Sequence, residues 1–160
     1  ISINPKNAEA YNNLGNARSG LGDKQGAIAE YSQVISINPK NAVAYNSRGN
    51  ARYDLGDKQG AIADYDQAIA INPKNAVAYN NRGSARSDLG DKQGAIADYS
   101  QALSINPKNA EAYNNRGIAK DELGNKEGAC MDYKKAIAQG SQSTAQWLQT
   151  EAGAWCRDMP

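Results

Sequence analysis

The apolar positions of this chain recur with helical spacing, and the whole pattern returns every 34 residues. From Ala10 to Leu21 the apolar residues fall mostly three or four apart, a spacing that is typical of one face of an α-helix. The motif NPKNA recurs at this interval and begins at Asn4, Asn38, Asn72 and Asn106. Such a period predicts a solenoid of stacked helical units, because one unit cannot bury its apolar face alone.

Each unit is predicted to consist of two helices, helix A and helix B, joined by a short turn. In the first unit Asn7 is the expected N-cap of helix A, and Gly22 is expected to end it. Asp23 is then placed to cap helix B. An Asn-Pro pair ends helix B, because proline lacks the amide hydrogen that would continue the helix.

The turn segment LGDKQGAIA, residues 21–29, also raises the alternative of a phosphate-binding loop. That alternative requires the spacing GxxxxGK[ST] after a β-strand, and the segment has neither. The segment also recurs in every unit, whereas a nucleotide site is usually made once. We therefore predict a helix stop, a turn and a helix start.

One glycine in the middle of each helix A needs an explanation, because glycine there costs about 1 kcal/mol relative to alanine. These residues are Gly15, Gly49, Gly83 and Gly117. Close approach of a neighbouring helix explains them. The small residues of helix B expected to face them are Ala27, Ala61, Ala95 and Ala129.

At these residues the sequence closely resembles the tetratricopeptide repeat family, over almost the whole of residues 1–143. The aromatic slots of the family hold Tyr11, Tyr45, Tyr79 and Tyr113 in helix A and Tyr31, Tyr65, Tyr99 and Tyr133 in helix B. The segments YNNRG and LGDKQGAIADY are similar to repeats that are common in cyanobacterial proteins. The resemblance implies an all-α fold, a right-handed superhelical solenoid whose concave face is lined by the A helices.

The period divides the chain into four repeats and two flanking segments. The repeats are 8–41, 42–75, 76–109 and 110–143. Residues 1–7 are interpreted as the end of a preceding truncated repeat, so the chain is expected to be a fragment. Residues 144–160 are interpreted as a capping helix, because Trp147 lies 34 residues after Tyr113. One further helix A is predicted over Ser143–Arg157, with an apolar stripe of Leu148, Ala152, Trp155, Cys156 and Met159.

Three arginines stand where the family usually has leucine, namely Arg48, Arg82 and Arg116. We interpret their aliphatic stems as packed between helices, with the charged heads reaching water or a carboxylate such as Asp64 or Asp98. A functional arginine ladder is the alternative.

Composition narrows the range of functions that the chain can have. The formal net charge is +1, which gives no general attraction to nucleic acid, and no apolar run is long enough to span a membrane. The chain has no histidine, so the commonest general base and metal ligand is missing. We expect no enzymatic activity, no catalytic residue, no metal site and no cofactor.

The two cysteines indicate a reducing setting, and we expect a cytoplasmic location. Cys130 takes a slot that holds isoleucine in the other repeats, so it is interpreted as a small buried apolar residue. A bridge from Cys130 to Cys156 is the alternative, and it requires the C-terminal segment to fold back.

Helical spacing names the side chains expected on the concave face. They are Asn12, Asn13, Asn16, Asn46, Asn50, Tyr53, Asn80, Asn81, Ser84, Asn114 and Asn115. A row of amides can donate to and accept from an extended peptide backbone. The ladder slot used by one family member matches Asn13, Asn81 and Asn115, while Ser47 departs from it. The alternative is a merely soluble helix surface with duplicated asparagines.

Tyr53 is a second signal on this face, because it is the one tyrosine of nine outside the two aromatic slots. An exposed tyrosine is a good anchor for a peptide side chain, and the alternative is an incidental surface residue.

These observations predict a protein-interaction module that binds a peptide segment of a partner in its concave groove. The slots that clamp a terminal carboxylate in some family members carry no cation here, so that mode is not expected. The rival hypothesis is an architectural spacer that self-associates end to end, serving a missing N-terminal domain. Nucleic-acid binding is discounted, since the groove carries acids rather than a basic stripe.

Overall fold

The computed structural model describes residues 7–159, and within that range every regular element is helical. The A helices are α1 (Ala8–Gly20), α3 (Ala42–Asp54), α5 (Ala76–Asp88) and α7 (Ala110–Glu122). The B helices are α2 (Lys24–Ile37), α4 (Lys58–Ile71), α6 (Lys92–Ile105) and α8 (Lys126–Ala138). The predicted all-α repeat fold is confirmed. The segment proposed as the end of a preceding repeat lies outside the described residues except for Asn7.

The helix ends follow the capping residues of the sequence. The Asn7 side chain accepts a hydrogen bond from the Ala10 amide, and Asp23 accepts one from the Gly26 amide. Gly22 adopts a φ of 86°, a left-handed conformation that most L-residues avoid. The segment LGDKQGAIA is therefore a turn between helices, as predicted.

Each helix packs on the next along the chain, and the A helices also touch one another across repeats. Helix α3 contacts α5, and α5 contacts α7. The core between the layers consists mainly of alanine and of the helix B tyrosines. These small residues let the helices approach closely, which places the A helices side by side along one surface.

The glycines of helix A make room mainly for a tyrosine ring rather than for the facing alanine that the sequence analysis expected. A Cβ atom built on Gly49 would lie 2.6 Å from Cε1 of Tyr65, and one on Gly83 would lie 2.8 Å from Cε1 of Tyr99. The same relation holds in the first and fourth repeats. The close helix contact is present as expected, but the tyrosine ring is the nearest neighbour; the expected alanine is among the nearest atoms in the fourth repeat, where the Ala129 carbonyl oxygen would lie 3.3 Å from a Cβ on Gly117.

The arginines in the leucine slots form buried ion pairs with helix B, as interpreted from the sequence. Arg82 donates to Asp98 from Nε and Nη2 at 2.9 and 2.5 Å, and the Arg86 guanidinium reaches the same carboxylate at 2.9 Å. Repeats two and four contain the same arrangement on Asp64 and Asp132. The three arginines also lie over the helix A tyrosines, between 5.4 and 5.7 Å from the ring centroids. Each arginine also donates from Nη1 to helix B of the preceding repeat, at Ser32, Asp66 and Ser100 in turn, so these side chains join helices within and between repeats.

The predicted single capping helix is wrong, because the segment is broken into three pieces. They are α9 (Gln142–Leu148), a 3-10 turn (Glu151–Gly153) and α10 (Ala154–Arg157). Thr150 interrupts the helix by donating its hydroxyl to the Trp147 carbonyl and accepting from the Gly153 amide. Ala152, predicted to belong to the apolar stripe, is exposed.

The break lets the chain fold back onto α8, where Cys130 and Cys156 form a disulfide. The interpretation of Cys130 as a small buried residue is confirmed in its burial, and the alternative of a bridge to Cys156 is the one that the structure has. Trp147, Leu148, Trp155 and Met159 pack around this bridge. Disulfides persist mainly in oxidising environments, so the expected reducing, cytoplasmic setting loses the support that the cysteines gave it.

Candidate functional site

Four neighbouring cavities run along the A-helix surface and form one open channel, here called the concave groove. From the first repeat to the last, their volumes are about 210, 470, 360 and 430 Å³. Neighbouring cavities share Asn50, then Tyr53 and Ser84, then Ile118 and Glu122. The groove therefore extends continuously from Asn16 to Trp147.

Seven of the side chains predicted for the concave face line the groove. They are Asn16, Asn50, Tyr53, Asn81, Ser84, Asn114 and Asn115. Four others line none of these cavities, namely Asn12, Asn13, Asn46 and Asn80. Asn80 is only 5% exposed and donates to Glu111, so it serves the contact between repeats three and four.

Most of the groove amides are already used inside the protein. The hydroxyls of Tyr31 and Tyr65 donate to Oδ1 of Asn16 and Asn50, each at 2.8 Å. Asn81 donates to the same oxygen of Asn50 at 2.9 Å. Within residues 7–159, Asn115 is a groove amide with no hydrogen-bond partner. Among the described residues the groove thus presents one free amide, Asn115, rather than a continuous ladder.

Tyr53 connects the second and third repeats. Its hydroxyl donates to the Asp88 carboxylate at 2.7 Å, and its ring packs against a core cluster that includes Tyr65. Burial and then the bond to Asp88 raise the pKa of Tyr53 to about 12. Tyr53 lines two cavities, so its ring is open to a ligand while its hydroxyl is held.

The groove is acidic, although the chain as a whole is nearly neutral. Its lining includes the carboxylates Asp54, Asp88, Glu111, Asp121 and Glu122, against the lysines Lys24 and Lys92. Lys24 pairs with Asp54 at 2.7 Å and Lys92 with Glu122 at 2.5 Å. Asp88 and Asp121 are paired with Lys58 and Lys126, so among the described residues Glu111 is the groove carboxylate without an ion pair. Glu122 was not among the residues predicted for the groove. The available signal was the acidic residue that recurs at the equivalent positions 54, 88 and 122.

No group of three or more metal-ligating side chains lies together in residues 7–159. In the same range, no helix is long and apolar enough to cross a bilayer.

The family follows from the sequence match. A family model described as TPR repeat matches residues 20–56, 49–90 and 83–124, and one described as Tetratricopeptide repeat matches residues 1–29. The chain belongs to the tetratricopeptide repeat family. No curated protein sequence matches it significantly.

Solved tetratricopeptide structures have the same fold. A crystal structure of MamA superimposes with a TM-score of 0.82 at 29% identity, covering 89% of this chain and 83% of that one. The first tetratricopeptide domain of Spaghetti (RPAP3), bound to the HSP90 peptide SRMEEVD, gives 0.73 at 29% identity, covering 78% and 98%. The Arabidopsis OM64 domain gives 0.69 at 32% identity, covering 77% and 98%.

Proposed function

We propose that this tetratricopeptide scaffold binds a peptide segment of a partner protein in its concave groove and has no catalytic activity of its own. The observation that carries the proposal is the continuity of the groove across all four repeats, with one wall built by consecutive A helices. A continuous channel of this kind suits an extended chain better than a compact small molecule. The structure of the Spaghetti domain with a peptide gives a precedent within the fold.

The contacts available in the groove define how such a segment is held. Asn115 offers an amide that can donate to and accept from a peptide unit. The ring of Tyr53 offers an aromatic surface between the second and third repeats. Most of the remaining groove amides are committed to tyrosine hydroxyls or to one another, which fixes the shape of the groove before a ligand arrives.

The charge of the groove argues against an acidic partner. The peptide in the Spaghetti structure, SRMEEVD, contains three acidic residues. In the groove of the present chain the lysines Lys24 and Lys92 are already paired with carboxylates, and Glu111 carries an unpaired charge, so an acidic segment would find no free cation there. The slots that clamp a terminal carboxylate in some family members hold asparagine, valine or glutamate in this chain, which supports the same conclusion.

The test is selection of binders from a displayed random peptide library on the native chain, followed by affinity measurements on the selected peptides. Asn115→Trp fills the groove wall, and Gln67→Trp adds the same bulk on the exposed side of α4, away from all four cavities. We expect at least about tenfold weaker binding to the first variant and unchanged binding to the second. Equal loss in both variants, or no selected peptide, would overturn the proposal.

The architectural alternative rests on the outer surface of the first repeat. Leu21 is 87% exposed, whereas its counterparts Leu55, Leu89 and Leu123 are between 43% and 45% exposed. An apolar side chain of this kind can pack against a second copy of the chain. Under this alternative the mass in solution rises with concentration, and Leu21→Asp abolishes the rise.

A further inference from the structure

The cavity at the C-terminal end of the groove differs from the other three and is here called the Trp147 cavity. It holds about 430 Å³ and is closed on one side by α9, which supplies Thr144 and Trp147. Helix α7 supplies Ile118, and α8 supplies Tyr133. The lining combines these apolar side chains with polar ones, and its exposed surface is more apolar than that of the neighbouring cavities.

The Tyr133 hydroxyl in this cavity lacks the hydrogen-bond partner that the equivalent tyrosine hydroxyl has in every other repeat. The hydroxyls of Tyr31, Tyr65 and Tyr99 bond to Asn16, Asn50 and Ser84, one helix A position in each case. The fourth repeat has Ile118 at that position, and its side chain can accept no hydrogen bond. Tyr133 is only 4% exposed, and within residues 7–159 its hydroxyl has no partner.

Two carboxylates on α7, Asp121 and Glu122, also line this cavity. Burial, followed by the charges of Asp121 and Glu122, raises the pKa of Tyr133 to about 12. Lys126 pairs with Asp121 and Lys92 pairs with Glu122, but Lys126 and Glu122 are about half exposed. Exposed ion pairs contribute little, so an incoming cation can share or replace these lysines.

We propose that the Trp147 cavity receives a basic side chain, arginine or lysine, of the peptide partner. The aliphatic stem would lie along Ile118, and the cationic head would face Trp147, whose indole attracts cations. The unpartnered oxygen of Tyr133 can accept a hydrogen bond from the head, and the α7 carboxylates balance its charge. This proposal deepens the proposed groove function and names the chemistry of its partner.

The test uses an arginine derivative, so that it does not depend on finding the natural peptide. N-acetyl-arginine N-methylamide is titrated into the full chain, and the two tryptophan indole N–H signals are followed by NMR. Trp147 lines the cavity and is the readout, whereas Trp155 lies outside it but contacts both Trp147 and Lys126, so a shift of the Trp155 signal is not interpreted. The neutral isostere, the citrulline derivative, is titrated in parallel. We expect a saturable shift of the Trp147 signal, with at least about tenfold weaker binding of citrulline.

Two variants test the residues that define the site. Ile118→Asn supplies the partner found in the first two repeats, so it should occupy the Tyr133 hydroxyl and abolish binding without unfolding the chain. Glu122→Gln should weaken binding, while Glu151→Gln, an exposed change outside the cavity, should not. Equal binding of citrulline and arginine, unchanged binding to Ile118→Asn, or no saturable shift would overturn the proposal.

Failure of this site is distinguishable from failure of the peptide groove. If arginine binds at Trp147 but no library peptide is selected, the proposed arginine site is supported and the proposed peptide binding in the groove is contradicted. Selected groove peptides that lack a basic residue would uphold the groove and remove the site.

Discussion

The Arg116 guanidinium donates two hydrogen bonds to the Asp132 carboxylate, at 2.8 Å from Nε and 2.6 Å from Nη2. Asp132 is 1% exposed, and Lys120 adds a third contact at 2.7 Å. This bidentate pair joins α7 to α8, where the family more often uses an apolar side chain. In repeats two to four these polar pairs thus hold helix A on helix B.

Removing the buried carboxylate should destabilise the protein strongly. We expect Asp132→Ala to lower the free energy of unfolding by about 3–5 kcal/mol, because it leaves Arg116 and Lys120 unpaired. Asp66→Ala removes a half-exposed partner of Arg82 and should cost less than about 1 kcal/mol. Urea denaturation followed by circular dichroism measures both, and similar losses in the two variants would contradict this account.

The same carboxylate should make stability depend on pH. Burial opposes ionisation of Asp132, but the hydrogen bonds from Arg116 and Lys120 outweigh it and lower its pKa. A lowered folded pKa means that the stabilisation is fully present above the unfolded value of about 3.9 and is lost as pH falls through the folded pKa. The stability difference between the native chain and Asp132→Asn should therefore be constant near neutral pH and shrink below about pH 4.5. A difference that persists unchanged to pH 3 would refute the assignment.

The contact between Gly83 and Tyr99 predicts opposite effects for two glycine substitutions. In Gly83→Ala the new methyl group meets the buried Tyr99 ring, so we expect a loss of about 1–3 kcal/mol despite the better helix propensity. Gly20 lies at the end of α1 with open space around it. Gly20→Ala should leave stability unchanged or raise it by up to about 1 kcal/mol, as measured by urea denaturation. Stabilisation by Gly83→Ala would rule out the ring contact.

Without the disulfide, the C-terminal segment should unfold at a lower urea concentration than the repeats. The bridge closes a loop of 26 residues, which corresponds to about 3 kcal/mol in the chain-entropy model. Both tryptophans of the chain lie in this segment, and Trp147 stacks 4.8 Å from Tyr133. In the double variant Cys130→Ala, Cys156→Ala, tryptophan fluorescence should change at a lower urea concentration than helical circular dichroism. Coincident transitions would show that the bridge does not hold a separate unit.

The regular part of the fold could be predicted because each signal occurs four times. The capping residues and the glycine turns recur with the 34-residue period. Each of them is determined by interactions between residues that are close in the sequence. The arginine interpretation succeeded for a similar reason, since a buried guanidinium needs a carboxylate and Asp64 and Asp98 recur at a fixed offset.

The C-terminal segment and the groove amides were predicted less well. Thr150 and Gly153 break the last helix through a local hydrogen-bond pattern that the 34-residue period does not contain within residues 7–159. Helical spacing placed Asn16 and Asn50 on the concave side but could not show that tyrosine hydroxyls already occupy them. The constant separation of 15 residues between each amide and its tyrosine was the available signal.

The most direct test of the central claim is an NMR chemical-shift map of the chain with a peptide selected from the library. The account predicts that the shifted amides concentrate on the A helices, around Asn115 and Ile118, and include the Trp147 indole. Shifts confined to the outer surface of the B helices, or to the region of Leu21, would contradict it and favour the architectural alternative.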